Sequence, residues 1–287
     1  MTKLIPIHTG NFKLDGGAMF GVVPQSMWKK INEPDENNMC TWAMRCLLVD
    51  EGDRKILIDT GMGNKISDKM RAHFYPHGQS SLMGSLKVAG YDPEDITDVL
   101  LTHFHFDHVG GALDFDKDRN ILPAFPNAKY WSNEVHYNWA IEPNPRERAS
   151  FLKENFVPMK EQGILNLIDV EQDISFSKSI RLHFMYGHTE AMMIPIITDD
   201  NGKRIAFCAD LLPSAGHVGM PYVMSYDIRP LQTMKEKAAF FDYLHEENIS
   251  CFLEHDKDYE CLHLSKNERG RYVPSQMGSL ANWSTLS

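Results

Sequence analysis

Residues 102–111, with the sequence THFHFDHVGG, constrain the fold of this chain more than any other stretch. They follow a short apolar run, residues 98–101, that is typical of a buried β-strand. The stretch offers four side chains that can bind a metal ion, which are His103, His105, Asp107 and His108. If the backbone stays extended past the strand, the first three project from one face, and the two glycines then turn the chain so that His108 joins them. Three imidazoles and a carboxylate this close together indicate a divalent-cation site.

Three later apolar runs also end in residues that can bind metals. Residues 181–187 lead into His188, residues 204–209 into Asp210, and residues 250–254 into His255. Taken singly, each of these could be a capping aspartate or a histidine packed near a core. Because sheets tend to assemble their sites at strand ends, the three together extend the site predicted at residues 103–108.

The rest of the chain reads as short strands with a few helices. The sequence predicts strands at residues 4–12, 18–23, 41–49, 55–59, 128–131, 164–170, 180–186, 192–198 and 204–209, with 249–253 as the last. It predicts helices at residues 146–162 and 231–247, and a helical insertion over the site near residues 133–165. With no internal repeat and no low-complexity linker, the pattern predicts a single α/β domain over residues 1–287.

The charge balance argues against two classes of partner. The 29 basic and 39 acidic residues give a net charge of −10, which is unfavourable for nucleic-acid backbones and for anionic membranes. No run approaches the roughly 18 apolar residues that a membrane helix needs. The first eight residues resemble a strand rather than a signal peptide, so we expect a cytoplasmic protein. The five scattered cysteines are typical of reduced structural thiols.

The ligand pattern resembles a known family. The metallo-β-lactamase superfamily of metal-dependent hydrolases has a similar pattern, which here comprises His103-x-His105-x-Asp107-His108, Gly187-His188-Thr189, Asp210 and His255. The glycine-rich turn that starts Asp59-Thr60-Gly61 lacks the lysine and hydroxyl of a phosphate-binding P-loop and resembles the strand-end turn of this family. The resemblance implies a four-layer αβ/βα sandwich of two mixed β-sheets with outer helices, and a dinuclear site at one edge.

The resemblance also implies a role for each ligand. One metal ion would be held by His103, His105 and His188, the other by Asp107, His108 and His255, and Asp210 would bridge them. A ligand set without thiolate suits Zn²⁺, and Fe or Mn remains open. A hydroxide that bridges the two ions would attack the substrate, and Asp107 would carry a proton to the leaving oxygen.

The ligand set also narrows the activity. The absence of a cysteine ligand argues against the antibiotic hydrolases, and the pattern is similar to that of quorum-quenching lactonases, organophosphate hydrolases and glyoxalase-type thioesterases. It predicts hydrolysis of a lactone or related small ester, with phosphotriester hydrolysis as the alternative. A di-iron redox enzyme is the alternative from another class. That class carries an acidic residue at the position of His105 and an added flavin domain, and this chain has neither.

The substrate-binding residues depart from those of the best-known lactonases. Those enzymes place a tyrosine shortly after the bridging aspartate, and the corresponding position here falls near Pro213. We expect His217, Tyr222 or Tyr226 to supply an equivalent donor to a small-molecule substrate, although each also suits a packing role on the pocket wall. The formation of a homodimer stays open.

Overall fold

A computed structural model of the protein describes residues 1–170 and 174–285. The strands are β1 (Lys3–Asp15), β2 (Met39–Asp50), β3 (Lys55–Ile58), β4 (Asp98–Leu100), β5 (Leu113–Phe115), β6 (Ile121–Pro123), β7 (Lys129–Asn133), β8 (Leu165–Ile168), β9 (Ile174–Ser175), β10 (Ile180–Met185), β11 (Met192–Thr198), β12 (Arg204–Phe207), β13 (Ser250–Phe252), β14 (Cys261–Lys266) and β15 (Tyr272–Gly278). The α-helices are α1 (Gly16–Phe20), α2 (Gln25–Trp28), α3 (Asp68–Phe74), α4 (Leu82–Ala89), α5 (Phe106–Val109), α6 (Glu134–Ile141), α7 (Val157–Glu161) and α8 (Pro230–Glu246). Short 3₁₀ helices lie at Pro93–Asp95, Lys153–Asn155, Ala209–Leu211, Ala215–His217 and Leu280–Thr285.

Two mixed sheets form the centre of the structure. The first has the strand order β1-β2-β3-β4-β7-β8, and its last four strands run parallel to one another. The second has the order β15-β14-β13-β12-β11-β10-β9, and only β12 and β13 pair in parallel. A separate hairpin, β5-β6, follows the predicted metal loop. Parallel neighbours end at the same edge of a sheet, which brings residues from distant parts of the chain to one place.

The side chains of β2 alternate between two apolar cores, which shows how the layers pack. Leu47 and Val49 belong to the core that contains Ile194 of the second sheet, whereas Leu48 belongs to the core that contains Leu86 of α4. Successive side chains of a strand point to opposite faces, so the first sheet packs on the second with one face and on helices with the other. Helix α8 packs Phe241 and its neighbours onto the second sheet. The predicted αβ/βα sandwich is confirmed.

Several predicted elements differ in the structure. Residues 18–23 form no strand, because Asp15 caps helix α1 by accepting a hydrogen bond from Ala18 N at 2.7 Å. The long helix predicted at residues 146–162 is reduced to a 3₁₀ turn and α7, since Pro158 interrupts the helical hydrogen bonds and Ser150 O is used to accept from Phe106 N. The strand at residues 249–253 is not the last, because the hairpin β14-β15 follows it.

The cysteines and the helices have two further features. All five cysteines are free and buried, which is consistent with reduced thiols. Within residues 1–170 and 174–285, no helix combines the length and the apolar character that crossing a membrane requires.

Candidate metal centre

The seven side chains predicted to bind metal lie together at one edge of the two sheets. They fall into two groups, one of His103, His105, His188 and Asp210, the other of Asp107, His108 and His255. Within each group the ligand atoms lie within 4.8 Å of one another. The first sheet contributes the loop after β4, and the second sheet contributes the residues that follow β10, β12 and β13. All seven residues are buried, and Asp107, with 8% of the whole residue exposed, is the most accessible.

Asp210 lies between the two groups. Its Oδ2 is 3.0 Å from His188 Nε2 in the first group and 3.5 Å from His108 Nε2 in the second. Its Oδ1 is 3.1 Å from His255 Nε2 but makes no hydrogen bond with the described residues. One carboxylate therefore faces both groups, which is the arrangement that a ligand shared between two cations requires.

Four of the five imidazoles have a hydrogen-bond acceptor at the nitrogen that points away from the centre, and the fifth faces a carboxylate. The hydrogen-bonded pairs are His103 Nδ1 with Thr102 Oγ1 at 3.0 Å, His108 Nδ1 with Asp59 Oδ2 at 3.1 Å, His188 Nδ1 with Asp227 Oδ1 at 2.8 Å, and His255 Nδ1 with Ala43 O at 2.7 Å. His105 Nε2 faces Glu147 Oε1 at 3.5 Å without a hydrogen bond. An acceptor on this side holds the ring proton there and leaves a lone pair on the other nitrogen.

The inner nitrogens converge at distances that suit a bound cation. His105 Nδ1 lies 3.1 Å from both His103 Nε2 and His188 Nε2, and His255 Nε2 lies 3.4 Å from His108 Nε2. Lone pairs that face each other at such distances repel, and a divalent cation between them turns this repulsion into coordination. Imidazole and carboxylate donors are ligands that Zn²⁺, Fe and Mn accept. The residues present therefore fit a pair of such ions.

The charges of the polypeptide, considered without any metal ion, also favour the binding of cations at this site. Burial would lower the pKa of His188, but Asp210 and Asp227 raise it to about 10. Burial would likewise lower the pKa of His255, and Asp210 contributes to raising it to about 9. Burial would raise the pKa of Asp210, and the imidazoles of His188, His108 and His255 instead hold it well below its usual range. The carboxylate thus attracts positive charge, and metal binding must displace protons from the imidazoles.

The sequence model described as the metallo-beta-lactamase superfamily matches residues 45–254, which span most of the chain and contain six of the seven predicted ligands. The chain belongs to the metallo-beta-lactamase superfamily. A probable metallo-hydrolase of Mycobacterium tuberculosis is 30% identical over 275 residues, covering 84% of this chain and 85% of that protein. An N-acyl homoserine lactonase of Bacillus cereus is 26% identical over 235 residues, covering 75% of this chain and 85% of that protein.

Solved structures of the superfamily match the fold. A probable metal-dependent hydrolase from Staphylococcus aureus has a TM-score of 0.84 and 27% identity, with 96% of this chain and 97% of that one covered. The dizinc quorum-quenching lactonase AidC, in complex with its product, has a TM-score of 0.77 and covers 96% and 94% at 20% identity, a likeness that shows the fold alone. The homologues and structural neighbours are metal-dependent hydrolases and lactonases, and this superfamily member is a metal-dependent hydrolase.

The turn that resembles the superfamily's strand-end turn lies under the metal loop. Asp59 adopts a positive φ of 59° and accepts the backbone N–H of Thr102 at 2.8 Å and its hydroxyl at 2.7 Å. Thr60 N donates to His108 O at 2.8 Å. A side chain at Gly110 would lie 1.9 Å from Met62 O, so only glycine allows the two turns to approach this closely. This packing sets the direction of His108.

Several residues that hold the superfamily ligands in place had no signal in the sequence. Glu147 and Asp227, which face His105 and His188, lie in irregular segments. Arg45 is buried in β2 and donates to the carbonyls of Leu253 and Asp256, on either side of His255. Only the unusual burial of these charged side chains reveals their role, and burial is a property of the folded chain.

The three predicted substrate residues lie in different surroundings. His217 is buried, with its Nε2 2.9 Å from Met19 O and its Nδ1 2.8 Å from Ser214 Oγ, so both ring nitrogens are used within the protein. His217 therefore has no free N–H with which it could donate to a substrate, the role expected from the sequence. Tyr222 is half-buried and packs edge-on against Phe20. Tyr226 is 37% exposed and directly precedes Asp227, the partner of His188.

Proposed function

We propose that the protein is a dinuclear hydrolase that uses two divalent cations, preferentially Zn²⁺, to cleave a lactone or a related small ester. The observation that carries the proposal is the set of five imidazoles whose outer nitrogens face protein acceptors while their inner nitrogens converge around Asp210. The first cation would be held by His103, His105 and His188, the second by Asp107, His108 and His255, with Asp210 shared. When bound, such cations lower the pKa of a water molecule and polarise a carbonyl oxygen.

In this proposal Asp107 transfers a proton during the reaction. Its side chain is 12% exposed, compared with 8% for Asp210, so it lies on the solvent side of the centre. Its Oδ2 lies 3.9 Å from both His108 Nε2 and His255 Nε2. From this position the carboxylate accepts the proton that the attacking water loses and returns it to the leaving alkoxide.

Tyr226 supplies the hydrogen bond to the substrate carbonyl in place of the residue missing at Pro213. Its loop is fixed through the preceding residue, because Ser225 N donates to Ala18 O at 2.8 Å and Arg146 Nη2 donates to Ser225 O. Burial, together with the charges of Asp15 and Asp107, raises the pKa of Tyr226, so the hydroxyl keeps its proton at neutral pH. A neutral phenol at the accessible side of the centre is a suitable donor to developing negative charge.

Two observations support an ester with an apolar part. Phe106, next to Asp107, packs in an apolar cluster that contains Met62 and Met224. Methionine side chains adapt to different apolar shapes. The Bacillus relatives, at 25–26% identity, are named as lactonases of N-acyl homoserine lactones, molecules that combine a cyclic ester with an acyl chain.

The organisation and the location of the protein complete the proposal. We regard residues 1–287 as one hydrolase domain, with residues 133–165 as an insertion that contributes Glu147 to the centre. The five free, buried thiols favour the reducing cytoplasm. The partner is a small-molecule substrate.

The test is an assay of the metal-reconstituted enzyme against lactones, thioesters, phosphotriesters and β-lactams. We expect two ions per chain and the highest kcat/KM for a lactone or small ester, with no activity in His103→Ala. A higher kcat/KM for phosphotriesters would replace the ester proposal. Bound iron with visible absorbance and no hydrolysis would instead favour a redox enzyme.

A further inference from the structure

Glu254 is a buried carboxylate that the proposed reaction does not use. It follows β13, directly precedes His255, and has 0% exposure. Its backbone carbonyl accepts a hydrogen bond from Arg45 N at 3.1 Å, which fixes its position. Neither carboxylate oxygen makes a hydrogen bond with any residue that the structure describes. A buried carboxylate in this state costs several kcal/mol unless positive charge lies close to it.

The nearest group that can carry such charge is His108. Glu254 Oε2 lies 3.2 Å from His108 Nδ1, and Asp59 Oδ2 lies 3.1 Å from the same nitrogen. The nitrogen carries one hydrogen, and its hydrogen-bond geometry assigns that hydrogen to Asp59. The two Nη groups of the buried Arg45 donate to the backbone carbonyls of Leu253, Asp256 and Tyr259, and its Nε makes no hydrogen bond with the described residues. Glu254 therefore faces the rear of one metal-binding imidazole without a donor of its own.

The carboxylates of Asp59 and Glu254 make different contacts. Asp59 contacts His108 directly and reaches His103 through Thr102, whose hydroxyl accepts from His103 and donates to Asp59. It is thereby connected to both groups of ligands. Glu254 contacts His108, which belongs to the second group alone. A carboxylate behind a metal-binding imidazole orients the ring and makes it a better ligand.

We propose that Glu254 is a positioning residue that selectively raises the affinity of the second cation, held by Asp107, His108 and His255. The inference rests on the dinuclear site of the proposed function. The charge of that cation, transmitted through His108, compensates the buried carboxylate, and the carboxylate in return strengthens the binding of the cation. The first cation does not depend on Glu254.

The test is a titration of the metal-free full-length protein with Zn²⁺ in the presence of a competing chelator. We expect two binding steps in the wild type. Glu254→Gln should weaken one step by about 10–100-fold and leave the other unchanged, and Glu254→Asp should restore part of the loss. Asp59→Asn is the matched comparison and should weaken both steps. The inference would be overturned if Glu254→Gln bound Zn²⁺ in two steps with wild-type affinities, or if both affinities fell equally.

Thermal unfolding separates this role from a structural one. Without metal, Glu254→Gln should be folded like the wild type, and its unfolding temperature in that state is its own reference. With Zn²⁺, it should gain less stability than the wild type does. An equal gain in unfolding temperature on adding Zn²⁺ to both proteins would show that Glu254 does not act on metal binding, and the inference would fail. A wild type that binds fewer than two ions would refute the dinuclear function itself, an outcome that the wild-type titration distinguishes.

Discussion

The backbone N–H of Phe104 donates a hydrogen bond to His136 Nε2 at 2.8 Å. The other ring nitrogen, Nδ1, donates to the carbonyl of Glu190 at 2.6 Å. Phe104 lies between two histidines of the metal loop, and Glu190 lies two residues after His188. One buried imidazole from α6 therefore ties together the two loops that carry the first group of ligands. Burial lowers the pKa of His136 to about 3, so the ring is neutral and can both donate and accept.

Replacement of His136 should destabilise the protein and loosen the first metal site. His136→Ala leaves the N–H of Phe104 and the carbonyl of Glu190 without their partner, and we expect the free energy of unfolding to fall by about 2–4 kcal/mol. Urea unfolding measures this change, with the exposed His73→Ala as control. Unchanged stability in His136→Ala would show that water replaces both hydrogen bonds.

Asp210→Asn should affect both metal ions at once. The carboxylate faces His188 on one side and His255 on the other, so its neutralisation removes the shared ligand charge from both groups. We expect loss of both ions after dialysis and loss of ester hydrolysis, while the protein remains folded. Metal analysis checks the prediction, and Asp118→Asn, on the exposed turn between β5 and β6, is the control. Retention of one tightly bound ion would contradict a shared role for Asp210.

Tyr226→Phe should reduce the chemical step rather than substrate binding. The loss of one donor to the developing oxyanion lowers kcat by about 10²-fold, and KM should change little. Tyr222→Phe is the matched control, because Tyr222 lies in the same loop and packs against Phe20. Steady-state kinetics on the best ester substrate decide the matter. Equal kcat values for Tyr226→Phe and the wild type would remove Tyr226 from the reaction.

The ion pair of Arg54 and Asp98 should make stability depend on pH in the acid range. Asp98 accepts two hydrogen bonds from Arg54, at 2.8 and 3.0 Å, and lies at the first residue of β4, at the opposite end of that strand from the metal loop. Burial would raise the pKa of Asp98, but the hydrogen bonds from Arg54, Thr97 and Trp131 lower it overall. A depressed folded-state pKa means that the stabilisation is present above the ordinary aspartate pKa and is lost as the pH falls through the folded value.

Asp98→Asn is the variant that tests this pair. At pH 7 it should be less stable than the wild type by about 1–3 kcal/mol, and the difference should shrink as the pH falls below about 4. Denaturant unfolding at a series of pH values measures the difference. A gap that does not change with pH would show that the charge of Asp98 contributes nothing.

An element is predicted correctly from the sequence when residues close to it in the chain determine it, and incorrectly when distant residues do. The strand at residues 192–198 has the predicted bounds, and α8 lies within one residue of its prediction, because local hydrophobic periodicity determines both. The helix predicted at residues 146–162 failed because Glu147 is used to face His105 and Ser150 to accept from Phe106. Those partners lie about forty residues away and leave no mark in the local pattern.

The sequence by itself determined the seven candidate ligands and their order along the chain, since the chemistry of imidazole and carboxylate and the ends of apolar runs are visible in the residues. Only the tertiary structure decided which acceptor stands behind each imidazole, why His217 has no free N–H, and that Glu254 lies buried against His108. The physical reason is that these relationships join residues up to about 200 positions apart, and packing alone brings such residues within hydrogen-bond distance.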